Sequence, residues 1–500
     1  MHLSSIGKLA YFFVASLVFV PDVFSQNWIP KGSQIEGENQ DDHSGIVDLS
    51  ADGNTMAIGA SDNDGNGQSS GHVRVFSYID NDWVQKGKDI DGESSFDRSG
   101  GSVSLSADGN TLAIGAASNS SSASQSGHVR VFTWTGTFWE QRGNDIDGES
   151  ENDFFGASIS LSEDGNTLAA GSPYNEDVAW RAGHVRVFFW NGSSWKQKGQ
   201  NIEGQSMNDR FSIVNISKDG NNLIIGAAQD VQKYAGYASV FYWVDSTWQQ
   251  KGDKLIGEKS GDLFGTAVGI NRDGSSVIVG ARLHDKNGRD AGHLKVFIWN
   301  GQEWEQKGQT IYGEEIGDNF GFSVAMSSSG EIIASGAIYD NESGDFTGNV
   351  RVFEWADSLW VQKGTNIDGN PNSHHFGQTL SMSANGASIA AGAQRNASGG
   401  FDAGHVWVYE FGWLSGIARH HFAESSIYPN PSTAKFNFKL KDASAEVGLS
   451  VFDSKGLEIT HTGHIEDNNF VIEIEGNPGI YFVVLKIEGQ IARNYRLIKH

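Results

Sequence analysis

From residue 26 to about residue 412, short apolar runs alternate with polar turns, in one unit repeated along the chain. In one copy, Ser102-Val103-Ser104-Leu105-Ser106 alternates with a period of two, and Thr111-Leu112-Ala113-Ile114-Gly115-Ala116 is a short apolar run. Gly127-His128-Val129-Arg130-Val131-Phe132-Thr133-Trp134 follows, then Trp139-Glu140-Gln141-Arg142-Gly143. Alternation puts successive side chains on opposite faces of a pleated strand, so the unit predicts four β-strands. Ala107-Asp108-Gly109-Asn110 predicts a tight hairpin between the first two, because glycine accepts a positive φ at little cost. No helical period is present in the unit.

Tryptophan spacing counts the copies. Trp28, Trp83, Trp139, Trp195, Trp248, Trp304 and Trp360 each open a near-copy of Trp-x-Gln-Lys-Gly, at intervals of 53 to 56 residues. A second aromatic stands five residues earlier at Tyr78, Trp134, Trp190, Trp243, Trp299 and Trp355. Four antiparallel strands at this period describe a β-propeller blade, and the tryptophans read as inter-blade core fillers. A solenoid is the competing architecture, but it requires distinct capping repeats. The termini predict circular closure instead. The last copy runs through Gly404-His405-Val406-Trp407-Val408-Tyr409-Glu410-Phe411 and lacks a fourth strand, while Trp28-Ile29-Pro30-Lys31-Gly32 is a fourth strand without a blade. An N-terminal strand over 28–36 therefore closes the last of seven blades and hides two sheet edges.

The unit resembles the FG-GAP repeat of integrin-α-type propellers over residues 26–412. Phe155-Gly156, Phe264-Gly265, Phe320-Gly321 and Phe376-Gly377 carry one half of the motif. Gly59-Ala60, Gly115-Ala116, Gly226-Ala227, Gly280-Ala281, Gly336-Ala337 and Gly392-Ala393 carry the other. The resemblance implies a calcium loop between the first two strands, but Ser106-Ala107-Asp108-Gly109-Asn110 offers one carboxylate where calcium takes six to eight oxygens. No cofactor is expected on that ground.

The two ends read differently. Residues 1–25 place Lys8 before the apolar run Leu9–Val20 and finish on Val23-Phe24-Ser25, the layout of a secretory signal peptide. The run is short of the roughly 20 residues that a membrane anchor needs, and no later segment is expected to span. After a linker at 413–424, residues 425–500 alternate again, as in Lys435–Leu440, Gly448–Phe452 and Phe470–Ile474, and predict a small Ig-like β-sandwich. Tyr428-Pro429-Asn430-Pro431 opens this module and Gly456 ends its central Asp-Ser-Lys-Gly turn; Pro478-Gly479-Ile480-Tyr481 stands near its end. In that order these resemble the C-terminal sorting domain of the type IX secretion system. The resemblance implies export through that machinery to the medium or the outer surface of a Gram-negative bacterium. The fold class expected is all-β: a seven-bladed propeller of four-stranded blades plus the sandwich.

Composition narrows the chemistry. The 500 residues include no cysteine, which excludes disulfides, thiolate metal sites and cysteine nucleophiles. The net charge of −25 lies almost wholly outside the near-neutral tail and makes nucleic acid an unsuitable partner. Acids recur before each first strand, among them Glu38, Asp42, Glu93, Asp97, Glu149, Asp153, Glu258, Asp262, Glu314 and Asp318. They predict either a solvated acidic face or a face for cations and basic ligands. His72, His128, His184, His293 and His405 each open a third strand. One per blade, they should be separated from one another, and packing or hydrogen bonding is the expected role.

The loops between second and third strands diverge from copy to copy, as binding loops on a rigid scaffold do. They carry Tyr174, Trp180, Tyr234, Tyr237, Tyr339 and Phe346, aromatic platforms suited to a sugar or peptide. Asp62, Asp64, Asp285 and Asp290 are the calcium candidates in these loops. The expected function is a secreted, non-enzymatic binding or adhesion propeller for an extracellular protein or glycan. The alternative is a polysaccharide hydrolase or lyase with its site in the central channel, although no insertion carries paired carboxylates or a Ser–His–Asp set.

Overall fold

The computed structural model describes residues 26–413 apart from 230–233, 341–345, 371–373 and 398–399. Between 427 and 499 it describes seven strands and a few adjoining residues. The expected signal peptide at 1–25 and the expected linker beyond Trp413 lie outside the described residues. Every regular element described is a β-strand.

Seven antiparallel sheets follow one another along residues 26–413. Blade 1 starts at Ser44 and blade 2 at Ser102, and blade 2 shows the pattern. Its strands Ser102–Leu105, Thr111–Ala116, His128–Trp134 and Trp139–Gln141 pair in order from the inside outward. The second strand is buried along its whole length, because adjacent blades cover both of its faces. The hydrophobic clusters accordingly span blade boundaries: Ala57, Val73 and Val75 of blade 1 pack with Leu105, Leu112 and Phe132 of blade 2.

The fourth strand differs from its predicted form, being broken in two. After Trp139–Gln141 the chain turns at Gly143 and resumes as Ile146–Asp147, which pairs back onto Val129 and His128. The break serves the next blade. Gly87, at the same position in blade 1, has φ +88°, and a Cβ there would stand 2.8 Å from the ring of Trp134.

Blade 7 is closed by the N-terminus. Gln26–Pro30 pairs with His405–Trp413 as the outer strand, and Ile35–Glu36 pairs with Val406 and His405. The predicted strand over 28–36 is thus two segments with a turn between them. Phe411 supplies the aromatic partner: its ring lies 5.2 Å from that of Trp28, within the 5.1–5.5 Å range of the other six pairs.

Two closed rings tie the blades together. On the rim, the indole N–H of each counting tryptophan donates to the carbonyl of the Lys (or Arg) in the preceding Trp-x-Gln-Lys-Gly, at 2.7–2.9 Å, with Trp28 closing onto Lys363. The cations of Lys31, Lys86, Arg142, Lys198, Lys251 and Lys307 reach the glycine carbonyl of the next blade's first hairpin, at 2.7–3.2 Å. Each of these six lies over an aromatic pair on the way, as Lys86 does 5.4 and 5.3 Å from the centroids of Trp134 and Trp139. On the inside, the hairpin tips form a circle. The N–H of Ala51 donates to Ala107, Ala107 to Glu163, Glu163 to Lys218, Lys218 to Arg272, Arg272 to Ser328, Ser328 to Ala384, and Ala384 back to Ala51, all at 2.8–3.1 Å.

The Phe-Gly and Gly-Ala phrases meet across blades. Phe155, Phe264, Phe320 and Phe376 are fully buried. The carbonyl of Gly156 lies so close to Gly115 that a Cβ on Gly115 would stand 2.2 Å from it, and the same contact recurs from Gly59 to Gly392. Glycine is required there by the neighbouring backbone, not by a turn.

The C-terminal unit has two sheets. One orders Ile427–Tyr428, Lys435–Lys439, Asn469–Ile474 and His461–Glu466; the other orders Val447–Phe452, Gly479–Ile487 and Gln490–Lys499. Tyr428 pairs with Asn437. Pro478 sits in the turn before the strand that Gly479 opens, and buried Tyr481 donates its hydroxyl to Asn477 at 2.5 Å. Pro429, Asn430, Pro431 and Gly456 lie outside the described residues.

Candidate functional site

The connections into each first strand and the loops between second and third strands form one face. Much of its acidity has internal partners. Asp42, Asp97, Asp153, Asp209, Asp262 and Asp318 are buried, and each carboxylate accepts a backbone N–H three residues back, at 2.7–3.0 Å. Burial pushes the carboxyls of Asp153, Asp262 and Asp318 up, against those hydrogen bonds. Glu38, Glu93, Glu149, Glu258 and Glu314 face Arg74, Arg130, Arg186, Lys295 and Arg351 at 2.5–3.7 Å. Glu151, Glu176 and Asp177 remain exposed.

Those three acids line a cleft of about 530 Å³ at the boundary of blades 2 and 3, with Gln125, Phe154, Tyr174 and Arg181. Tyr174 meets Phe154 edge-on at 5.2 Å. The Arg181 guanidinium lies 4.9 Å from the Tyr174 ring and 4.5 Å from that of Trp180, which is 47% exposed beside the cleft. Arg181 has φ +53° and Phe154 has φ +56°, conformations that recur one repeat earlier at Gln125 and Arg98 and so belong to the repeat. The cleft combines an aromatic face, a cation, carboxylates and an amide, the groups that bind the apolar face and hydroxyls of a sugar.

The other aromatic candidates lie elsewhere. Tyr339 and Phe346 line a second cleft of about 410 Å³ with His375, Arg395 and Phe401. Tyr339 meets His375 and Phe346 edge-on at 4.8 and 5.8 Å. Tyr234 is exposed. Tyr237 corrects the expectation of a loop platform: it opens the third strand of blade 4, is buried, and donates its hydroxyl to Asp209 at 2.8 Å. Burial and the Asp209 charge push its pKa far up. It occupies the position that a histidine holds in five other blades. Phe154, Arg181, His375 and Phe401 were not singled out in the sequence; the doublet Phe154-Phe155 and the cation beside Trp180 are the signals that mark the first two.

The four calcium candidates do not converge. Asp62 accepts from His43 Nδ1 at 2.9 Å and pairs with Arg98 at 3.3 Å, which holds its carboxyl low and raises His43. Asp64 caps the N–H of Ser69, and Asp285 that of Asp290, whose own carboxylate pairs with Arg289. These loops are closed by their aspartates, which serve as turn acceptors. The closest metal-capable groups among the described residues are others: Glu38–His72–Asp89, Glu93–His128–Asp145 and Glu149–Asp177–His184, each with ligand atoms within 4.8 Å of one another. The histidines are separated blade by blade as expected. Both ring nitrogens of His128 and of His184, and Nε2 of His72, make no hydrogen bond among the described residues.

The innermost strands spend their polar side chains on assembly. The backbone N–H groups of Leu105, Leu161, Ile216, Ile270 and Leu49 donate to Asp48, Ser104, Ser160, Asn215 and Ser381 of neighbouring blades, at 2.8–3.1 Å. Asp48 is the single carboxylate on these strands, and burial pushes it up against its hydrogen bonds from Ser381, Leu105 and Leu49. A paired acid and base is not present on them.

No curated protein matches the chain. Among solved structures it is similar to the Kuenenia stuttgartiensis hydrazine synthase, at 12% identity and a TM-score of 0.47, covering 71% of this chain and 93% of that one. It is also similar to a putative 6-phosphogluconolactonase from Bacteroides uniformis, at 11% identity and a TM-score of 0.46, covering 65% and 85%. Likeness at this level carries no reading of activity. No helix among the described residues is long and apolar enough to cross a membrane. Residues 426–499 match the family of secretion system C-terminal sorting domains. The chain is therefore a seven-bladed β-propeller carrying a type IX secretion sorting domain, which marks it for the medium or the cell surface.

Proposed function

We propose that the propeller is a non-enzymatic binding module for an extracellular glycan, taken up on the loop face with the cleft between blades 2 and 3 as its principal site. The observation that carries this reading is the exposed Trp180 beside Tyr174 and Arg181, above Glu151, Glu176 and Asp177. An aromatic face left in water at the edge of a polar cleft costs solubility and serves stacking on a sugar ring. The contact between Phe-Gly carbonyls and Gly-Ala glycines supports kinship with FG-GAP propellers, whose resemblance implies adhesion. The alternative, a polysaccharide hydrolase or lyase working in the channel, is disfavoured by the engagement of Asp48 and its neighbours in blade-to-blade hydrogen bonds.

Glycan-array binding of the secreted protein tests the reading. Retained glycans should be lost by Trp180→Ala and Tyr174→Ala with folding unchanged. Turnover of a polysaccharide, abolished by Asp48→Asn and untouched by Trp180→Ala, would establish the enzyme instead.

A further inference from the structure

His72, His128 and His184 open the third strands of blades 1, 2 and 3, each 2% exposed or less. A buried imidazole normally places at least one ring nitrogen in a hydrogen bond, and an orphan costs about 1–3 kcal/mol. In blades 2 and 3 an orphan Nδ1 faces carboxylates across a gap, and in blade 1 the orphan is Nε2 while Nδ1 faces the carboxylate. His128 Nδ1 lies 4.0 Å from Glu93 Oε2 and 3.9 Å from Asp145 Oδ2, and His72 Nδ1 lies 4.0 Å from Glu38 Oε2. In blade 3, His184 Nδ1 lies 3.7 Å from Glu203 Oε2, itself a buried oxygen without a partner, and Glu149 and Asp177 each bring a ligand atom within 4.8 Å of one of His184. No hydrogen bond spans such a distance. Two ligands held about 2.0–2.2 Å from one zinc ion stand roughly 3–4 Å apart.

The carboxylates are also aimed. The other oxygen of Glu38, Glu93 and Glu149 lies 3.4–3.7 Å from Arg74, Arg130 and Arg186, whose guanidinium groups donate to the backbone of the preceding blade segment at Glu36, Asp91 and Asp147. In blades 1 and 2 the second glutamate oxygen faces the histidine, while in blade 3 that of Glu149 accepts from Asn201 Nδ2 at 3.2 Å. Blade 5 is the internal contrast: there a second imidazole, His284, stands 3.4 Å from Glu258 and packs on His293 at 4.3 Å, so a side chain fills the equivalent space.

We propose that blades 1, 2 and 3 each hold a divalent transition-metal cation between one imidazole and two carboxylates: His72 with Glu38 and Asp89, His128 with Glu93 and Asp145, and His184 with Glu149 and Asp177. One nitrogen and two oxygens favour zinc or a similar borderline ion over calcium, which takes oxygen ligands in larger number. The glutamates are about two-fifths exposed, so each ion is reachable from solvent and retains an open coordination position. Each site joins a strand of one blade to the connection arriving from the blade before it. The ion therefore acts as a clip across a blade boundary, and in blade 3 it shares Asp177 with the glycan cleft.

The test is zinc uptake by the chelator-stripped propeller with its tail, measured by metal analysis after dialysis and by calorimetric titration. About three equivalents are expected, with a rise in Tm on loading, since a ligand bound only by the folded state stabilises it. Glu38→Gln, Glu93→Gln and Glu149→Gln alter half-exposed side chains and should each remove about one equivalent. His128→Gln should do the same, and the carboxamide variants keep the test meaningful if this buried change impairs folding. No uptake at micromolar zinc, or uptake indifferent to all three glutamate variants, overturns the proposal; a single variant without effect removes its blade from it. Because the readout is metal content and not glycan binding, failure here leaves the glycan site standing, and the reverse holds too.

Discussion

The hairpin-tip side and the loop side of the propeller are built from the same seven copies, yet they use repetition in opposite ways. At the tips every copy repeats Ser-x-(Asp or Asn)-Gly or a close variant, and the backbone closes a seven-membered hydrogen-bonded circle. On the loop side six of the seven copies share buried aspartate caps, and the copies then diverge into clefts with different linings. A closed circle tolerates little variation in any member, because each tip is at once donor and acceptor. The loop side repeats only what holds its own turns, so the residues beyond the caps can change without disturbing neighbours.

Removing the closing segment breaks this division most severely. Deletion of residues 26–36 takes away the outer strand of blade 7 and the Trp28 link to Lys363, and should lower Tm by about 10 °C or more. An unchanged melting curve would mean that circular closure contributes nothing. Trp248→Ala removes a buried rim indole and its hydrogen bond to Lys198, at a cost of about 3–5 kcal/mol by denaturant titration. Gly115→Ala forces a methyl against the Gly156 carbonyl and should cost about 1–3 kcal/mol.

The loop side should carry a pH response that the tips lack near neutrality. Burial pushes His293 down to about 3, helped by His284 and Lys295, and pushes His405 down to about 4. The unfolded chain binds protons at these groups from about pH 6.5 downward while the folded chain does not. Stability is therefore full above that pH and declines toward pH 4, by at most about 1.4 kcal/mol per pH unit for each histidine. His293→Gln should flatten the slope of Tm between pH 6.5 and 4, and an unaltered slope would assign the response elsewhere. The smallest effect belongs to Trp180→Ala, which should change stability by less than about 0.5 kcal/mol while weakening glycan retention. A large loss of stability there would show that the platform is structural.

The blade count and the strand order were legible in the sequence because tryptophan, Gly-Ala and the hairpin glycines repeat at one spacing. What those residues touch was not. Trp139 bonds to Lys86 and Gly115 meets Gly156, partners one blade away that local pattern does not connect. The Lys-Gly break in the outer strand depends on a neighbour's ring for the same reason. Tyr237 read as a loop aromatic because blade 4 replaces a histidine with it, and only the core behind it reveals the exchange. Phe411 passed unnoticed because its tryptophan partner stands at the other end of the propeller. The unpartnered histidine nitrogens were invisible in principle, since a residue type announces what it can bond and not whether it does.

The way blade 7 closes also sets an order of events during synthesis. Residues 26–30 emerge early and wait for residues 405–413, so the circle becomes available only when nearly all of the propeller has been made. The sorting domain at 426–499 follows directly after that partner strand. A chain that stops early lacks both the strand that completes the disc and the address that sends it out. Placing the address after the closing strand makes export a certificate of completeness: only a chain long enough to shut its own ring carries the label for secretion.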